Sequence, residues 1–234
     1  MKLGLLGGFE LSCGRSVVTL PLGAERLLAF LAINKGPLLR SYVAEALWPE
    51  SHRRRAGANL RSALWRIRQA DHNIIISAAD NRLSLVPDVV VDLHEQMALA
   101  RRLLDRGAQP SPKDLDPDMA AALSVELLHD WFDEWLLVER ERWNQLRLHA
   151  LEALAERLLT VDAYSQAVQA ALAAVWAEPL RESAHRMLIR IYTAEGNPSE
   201  AVIHYQRYRE LLHRELKAVP TAQMEDLIRA LTPH

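Results

Sequence analysis

Six arginines and no acid lie between His52 and Ala70, in a chain whose formal net charge is −2. Guanidinium groups neutralise phosphates and make paired hydrogen bonds to guanine edges, so this stretch offers the chemistry of nucleic-acid binding. Its apolar residues recur with helical spacing. On a projection of about 100° per residue, Ala56, Ala63, Leu64 and Ile67 fall within about 60° of Leu60. The opposite side carries Arg54, Arg55, Ala58, Arg61, Ser62, Trp65 and Arg66, with Asn59 at its edge. A helix that docks along one side and shows arginines around small residues suits a DNA major groove, because Ala58 and Ser62 permit close approach. A solvated basic face is the plainer reading. Exposed helices, however, ordinarily interleave charges to gain i,i+4 pairs, and this one has no acids to pair.

Arg54, Arg55, Arg61 and Arg66 are the leading candidates for groove and phosphate contacts. Arg53 projects toward the core side and is assigned to the preceding turn, where it can clamp phosphate. Asn59 either reads adenine or stays solvated as a cap. Trp65 either touches sugar or a thymine methyl, or packs against a neighbouring hairpin. Ser41 is expected to cap a short helix, and with Arg40 it presents that helix's free N–H groups to a phosphate. Arg82, beside a hairpin turn, can enter the minor groove or lie along a phosphate. No other chemistry competes. The nine histidines lack metal-ligand spacing, and no phosphate-cradling glycine loop, nucleophile elbow or dinucleotide fingerprint occurs. No enzyme activity, cofactor or metal is therefore expected. Cys13 is the single cysteine, so an internal disulfide is excluded.

The elements that must hold these residues follow from periodicity. Leu3, Leu5, Phe9 and Leu11 share odd numbering, as in a half-buried strand, and a second short strand is expected over Val17–Leu20. Pro21 and Gly23 introduce a helix from about Ala24 to Asn34, stopped by Lys35, Gly36 and Pro37. A short helix from Ser41 through Trp48 and then the arginine helix come next. Ile74–Ser77 and Leu83–Val86 read as a hairpin turning at Asp80-Asn81, with a last strand over Val89–Asp92. Strands, three helices and a hairpin in that order predict an α+β winged helix over residues 1–93.

From Leu93 onward the pattern reads as helix, broken only at residues 107–118. Leu154 and Leu188, Ala155 and Ile189, and Ala167 and Ala201 are each 34 residues apart, the tetratricopeptide period, which predicts helical repeats across 94–234. Trp131, Phe132, Trp135 and Trp143 are expected to pack between helices, and so are Tyr192, Tyr205 and Tyr208. Charge divides the same way: net +4 over residues 1–93 and net −6 over 94–234. A basic module joined to an acidic one fits a nucleic-acid binder carrying a second function. No apolar run is long enough to cross a bilayer, and a cytoplasmic protein is expected.

The segments LLGGFEL, ALWPE, ANLRSALWRIR and VDLHE resemble the N-terminal part of regulators of the Streptomyces antibiotic regulatory protein (SARP) family. DWFDEWLLVERERWNQLRLHALEALAERL, AEPLRESAHRMLIRIYTAEGNPSEAVIHYQRYRELL and ELKAVPTAQMEDLIRAL resemble its bacterial transcriptional activator domain. The resemblance implies an OmpR-type winged helix followed by an all-α, tetratricopeptide-like domain. The implied function is that of a transcription regulator, usually an activator, which binds repeated promoter elements and helps recruit RNA polymerase holoenzyme. It implies a short form, without the ATPase, phosphopeptide-binding or receiver modules of some relatives. A homodimer on double-stranded promoter DNA is a further expectation. Asn59, Arg61, Ser62 and Trp65 depart from the polar residues common in relatives, so operator preference does not carry over. The competing functions are a tetratricopeptide-type protein adaptor and an effector-sensing repressor.

Overall fold

Leu3, Leu5 and Leu11 are buried to within 1% of full enclosure, and that burial fixes the register of the first sheet. In the computed structural model, which describes residues 1–70, 75–105, 107 and 118–231, β1 (Lys2–Gly4) pairs antiparallel with β2 (Glu10–Cys13), Leu3 opposite Leu11. Gly7, at φ 82°, and Gly8, at φ 156°, make the reversal between them, in backbone that L side chains rarely adopt. β3 (Ser16–Val17) is shorter than the expected strand, and Val17 is 65% exposed. β7 (Val90–Val91) adds on the far side, parallel to β1.

α1 (Leu22–Asn34) begins two residues before the expected start and buries Leu27, Leu28 and Leu31. β4 (Leu38–Leu39) is followed directly by α2 (Arg40–Leu47), then by α3 (Arg53–Ala70). β5 (Ile76–Ala79) and β6 (Arg82–Leu85) form the hairpin, and β4 joins β6 to give a three-stranded sheet among the described residues. Asp80 and Asn81, both at positive φ, close the hairpin with paired left-handed residues, as two-residue turns require. Ile74 and residues 108–117 of the expected loop lie outside the described residues.

The described chain forms two compact units, Met1–Glu95 with Glu126–Trp143, and Gln96–Val125 with Asn144–His234. A division at residue 93 alone takes no account of the stretch 126–143. This stretch is also a second interruption of the helical pattern, which the expectation of unbroken helix missed. Leu6 bridges Leu127, Leu128 N–H donates to Leu5 O at 2.9 Å, Trp131 stacks on Phe9 with centroids 6.0 Å apart, and Trp135 meets Phe30 edge-on at 5.1 Å. Trp143 is buried in α6 (Glu134–Thr160) as expected; Trp131 is buried too, but outside any helix and against Phe9, and Phe132 is 90% exposed and does not pack between helices. The backbone explains this: Trp131 and Trp135 are both turned into the unit, leaving the intervening Phe132 outward. Asp92, first residue of α4 (Asp92–Leu104), ties the start of that helix to the residues after β1 by accepting the N–H groups of Leu5, Leu6 and Leu93. Burial nevertheless raises its carboxyl above the usual range.

Among the described residues, the regular structure of the second unit is helical: most of α4, α5 (Asp118–Ser124), the rest of α6 (Glu134–Thr160), α7 (Tyr164–Ala177), α8 (Glu182–Ala194), α9 (Pro198–Leu216) and α10 (Ala222–Leu231). All six residues of the 34-residue pairs are buried. Asp162 and Gly196, also 34 apart, both take positive φ at the inter-helix turns, and Glu156 pairs with Arg190 across the same interval at 2.7 Å. Tyr205 and Tyr208 sit in one core cluster with Ile189, Leu212 and Met224, and Tyr192 packs against it.

Candidate nucleic-acid interface

α3 buries Ala56, Leu60, Ala63, Leu64 and Ile67, the stripe that helical spacing assigns to the core. Fully burying each large apolar side chain stabilises by about 1.5–3 kcal/mol, enough to fix the rotation of the helix about its own axis. The opposite side is therefore outward. Arg54, Arg55, Ala58, Arg61, Ser62 and Arg66 are exposed, and Asn59 lies at the boundary. Trp65 is 53% exposed, with the Arg66 guanidinium 5.1 Å from its ring centroid, a cation–π arrangement rather than packing on a hairpin. Arg61 lies back along the helix toward Gly57, where an added Cβ would be 3.7 Å from its Nη1.

The first turn of α3 holds Arg53, Arg54 and Arg55 and no acid. The N-terminal end of a helix carries partial positive charge, so each cation there costs about 0.3–1 kcal/mol where an acid would help. Sequence and macrodipole thus add their positive charges, and a bound anion would relieve both. The acid-free stretch is legible in the sequence, but its coincidence with a helix N-terminus depends on where α3 starts. Arg53 pairs with Glu45 of α2 at 2.8 Å, with both side chains largely in solvent, so the pair is worth little.

Ser41 does not cap α2. The helix starts at Arg40, its N-cap is Leu39, and no side chain fills that role. Pairing of Leu38 and Leu39 with β6 carries extended backbone up to the first helical residue, and Arg40 N–H donates to Asn81 O at 3.0 Å instead. Ser41 is left exposed in the first turn of α2. The same contact brings Arg40 and Ser41 to the hairpin turn, beside Arg82, whose Nη1 donates to Pro37 O at 3.0 Å. The candidate residues thus fall into two groups: the α3 face, and the α2 start with the hairpin.

The sequence model of the bacterial transcriptional activator domain family matches residues 91–232. This chain belongs to that family. It is one of transcription regulators, and the chain is a SARP-like member. The fold resembles that of Mycobacterium tuberculosis EmbR, solved in complex with a low-affinity phosphopeptide, with a TM-score of 0.77 and 22% sequence identity. The similarity covers 98% of this chain and 64% of the EmbR chain, so this chain spans less than two thirds of that relative. No curated protein matches the chain significantly. Among the described residues no helix is long and apolar enough to cross a membrane, and no cluster of His, Cys, Asp and Glu could hold a metal ion.

Proposed function

We propose that the first unit is an OmpR-type winged helix that binds double-stranded promoter DNA through α3, and that the protein is a sequence-specific transcriptional activator. The single observation carrying this reading is the outward, acid-free arginine face of α3, centred on Ala58 and Ser62. Arg54, Arg55, Arg61 and Arg66 supply phosphate and guanine contacts. Trp65 and Ser62 meet base edges or sugar, Asn59 reads adenine from the rim, and Arg53 exchanges Glu45 for a phosphate. The start of α2, with Ser41 exposed and Arg40 half-buried, and the hairpin with Arg82 hold the flanking backbone. The second unit, read as tetratricopeptide-like, serves contacts with RNA polymerase holoenzyme and with a second copy on repeated elements. A lone recognition helix reads few base pairs, and neighbouring copies multiply affinity.

The deciding measurement is duplex affinity of the full chain against salt. Log K is expected to fall steeply with log salt, and replacing Arg54, Arg55 and Arg61 by Ala is expected to flatten that slope by about three. An absence of duplex affinity at low salt overturns the reading. Transcription in vitro from a selected promoter then separates activation from repression, since added protein is expected to raise transcript.

A further inference from the structure

The first unit carries a groove of about 530 Å³, bordered by the start of α1, the end of α2 and the residues leading into α6. Phe132 stands 90% exposed on its wall and Leu22 60% exposed. Burying a phenyl ring is worth about 1.5–3 kcal/mol, so a chain that turns one outward forgoes a substantial gain. This ring is not on a loose end. Its neighbour Asp133 accepts hydrogen bonds from the Arg26 guanidinium and, at 3.1 Å, from the Trp135 indole N–H. On either side, Trp131 is stacked on Phe9 and Trp135 meets Phe30 edge-on. The backbone presenting Phe132 is therefore pinned from both directions.

The charge around the ring is predominantly negative. Glu45, Glu50, Asp133 and Glu134 line the groove against a single cation, Arg26. Glu45 and Asp133 are paired with Arg53 and Arg26, whereas Glu50 and Glu134 have no ion partner among the described residues. Such a negative field repels phosphate backbones and draws cations. An apolar centre with a charged rim is the anatomy of a protein-binding site.

We infer that this groove docks a basic, amphipathic segment of another protein, its apolar side chain set against Phe132 and Leu22 and its Lys or Arg residues facing Glu50 and Glu134. The inference does not rest on DNA binding, because Phe132, Leu22, Glu50 and Glu134 lie off the α3 face; of the lining residues, Glu45 is the one that pairs with an α3 arginine, Arg53. The test is to pan a random peptide display library against the full chain, counter-selecting on Phe132→Ser. Winning peptides are then synthesised and measured by fluorescence anisotropy at low and high salt. Enriched peptides are expected to carry net positive charge and at least one large apolar residue. Phe132→Ser is expected to weaken them at least about tenfold, and Glu50→Gln with Glu134→Gln to weaken them and flatten their salt dependence. Melting temperature and duplex affinity of both variants are expected to match the parent. Failure to enrich anything over the counter-selection, neutral or acidic winners, or binding untouched by Phe132→Ser each overturns the inference. So does self-association lost in Phe132→Ser with no peptide selected, which would assign the groove to a second copy.

Discussion

Trp65 shows how far helical spacing carries and where it stops. Its place opposite Leu60 was legible in the sequence, because a 3.6-residue period separates the two sides of a helix. Its actual neighbour, the Arg66 guanidinium, was not, because adjacent residues on a helix diverge and meet only through rotamer choice. An exposed cation–π contact is worth roughly 0.5–1 kcal/mol. Trp65→Ala is therefore expected to leave the melting temperature nearly unchanged while lowering duplex affinity about fivefold or more. A large loss of stability with unchanged affinity would assign the ring to packing instead. In the second unit, His185 Nδ1 and His204 Nε2 lie 2.9 Å apart, and the other His185 nitrogen faces Pro179 O at 2.8 Å. Such a pair shares one proton when both rings are neutral. Burial, His185 and Arg207 hold His204 down to about 4, while burial also lowers His185, against opposing pulls from the Pro179 carbonyl and from Glu182. A histidine depressed in the folded state stabilises fully above its unfolded pKa near 6.5 and loses that contribution as pH falls toward about 4. Melting temperature is expected to drop across that window, and to drop less in His204→Gln. Equal slopes for the two proteins would rule the pair out as the cause.

The arginine helix and the hairpin were both visible in the sequence, but the hairpin's third strand was not. α3 announces itself through five buried positions at helical intervals over eighteen residues. β4 has two residues, too few to express any period, and exists because Leu38 finds Leu83 across the sheet. That hidden strand moved the start of α2 forward and removed Ser41 from the capping role. The turn that organises both is set by Asp80 and Asn81, at φ 49° and 58°. A left-handed β-branched residue is strained by roughly 1–2 kcal/mol, while glycine takes the conformation freely. Asn81→Val is therefore expected to cost about that much by chemical denaturation, and Asn81→Gly to be neutral or mildly stabilising. The opposite order would mean that the turn is not left-handed at both positions. The repeat in the second unit was legible for a different reason. The 34-residue interval is written in the buried alanines and leucines and again in the turn residues Asp162 and Gly196.

The order of segments along the chain hid one partnership entirely. Nothing in the local pattern of residues 126–143 points to the first strand, because the bridge from Leu6 to Leu127 spans about half the chain. Only the aromatic residues hinted at it, and they read equally well as packing within the second unit. A fragment ending at Glu95 lacks the rings that cover Phe9 and Phe30. It is expected to melt lower than the first unit does in the full chain and to bind a dye for exposed apolar surface; a synthetic peptide of residues 126–143 added in trans should reverse both. A fragment as stable alone as with the peptide would make that stretch a passenger. This interleaving also governs birth on the ribosome. With synthesis at roughly 5–20 residues per second, the amino-terminal module must wait several seconds after its first 95 residues emerge before Trp131 and Trp135 arrive to close it. During that interval the nascent polypeptide holds an unfinished sheet with uncovered aromatic rings. Chaperone engagement should therefore peak before translation reaches the carboxy-terminal helices.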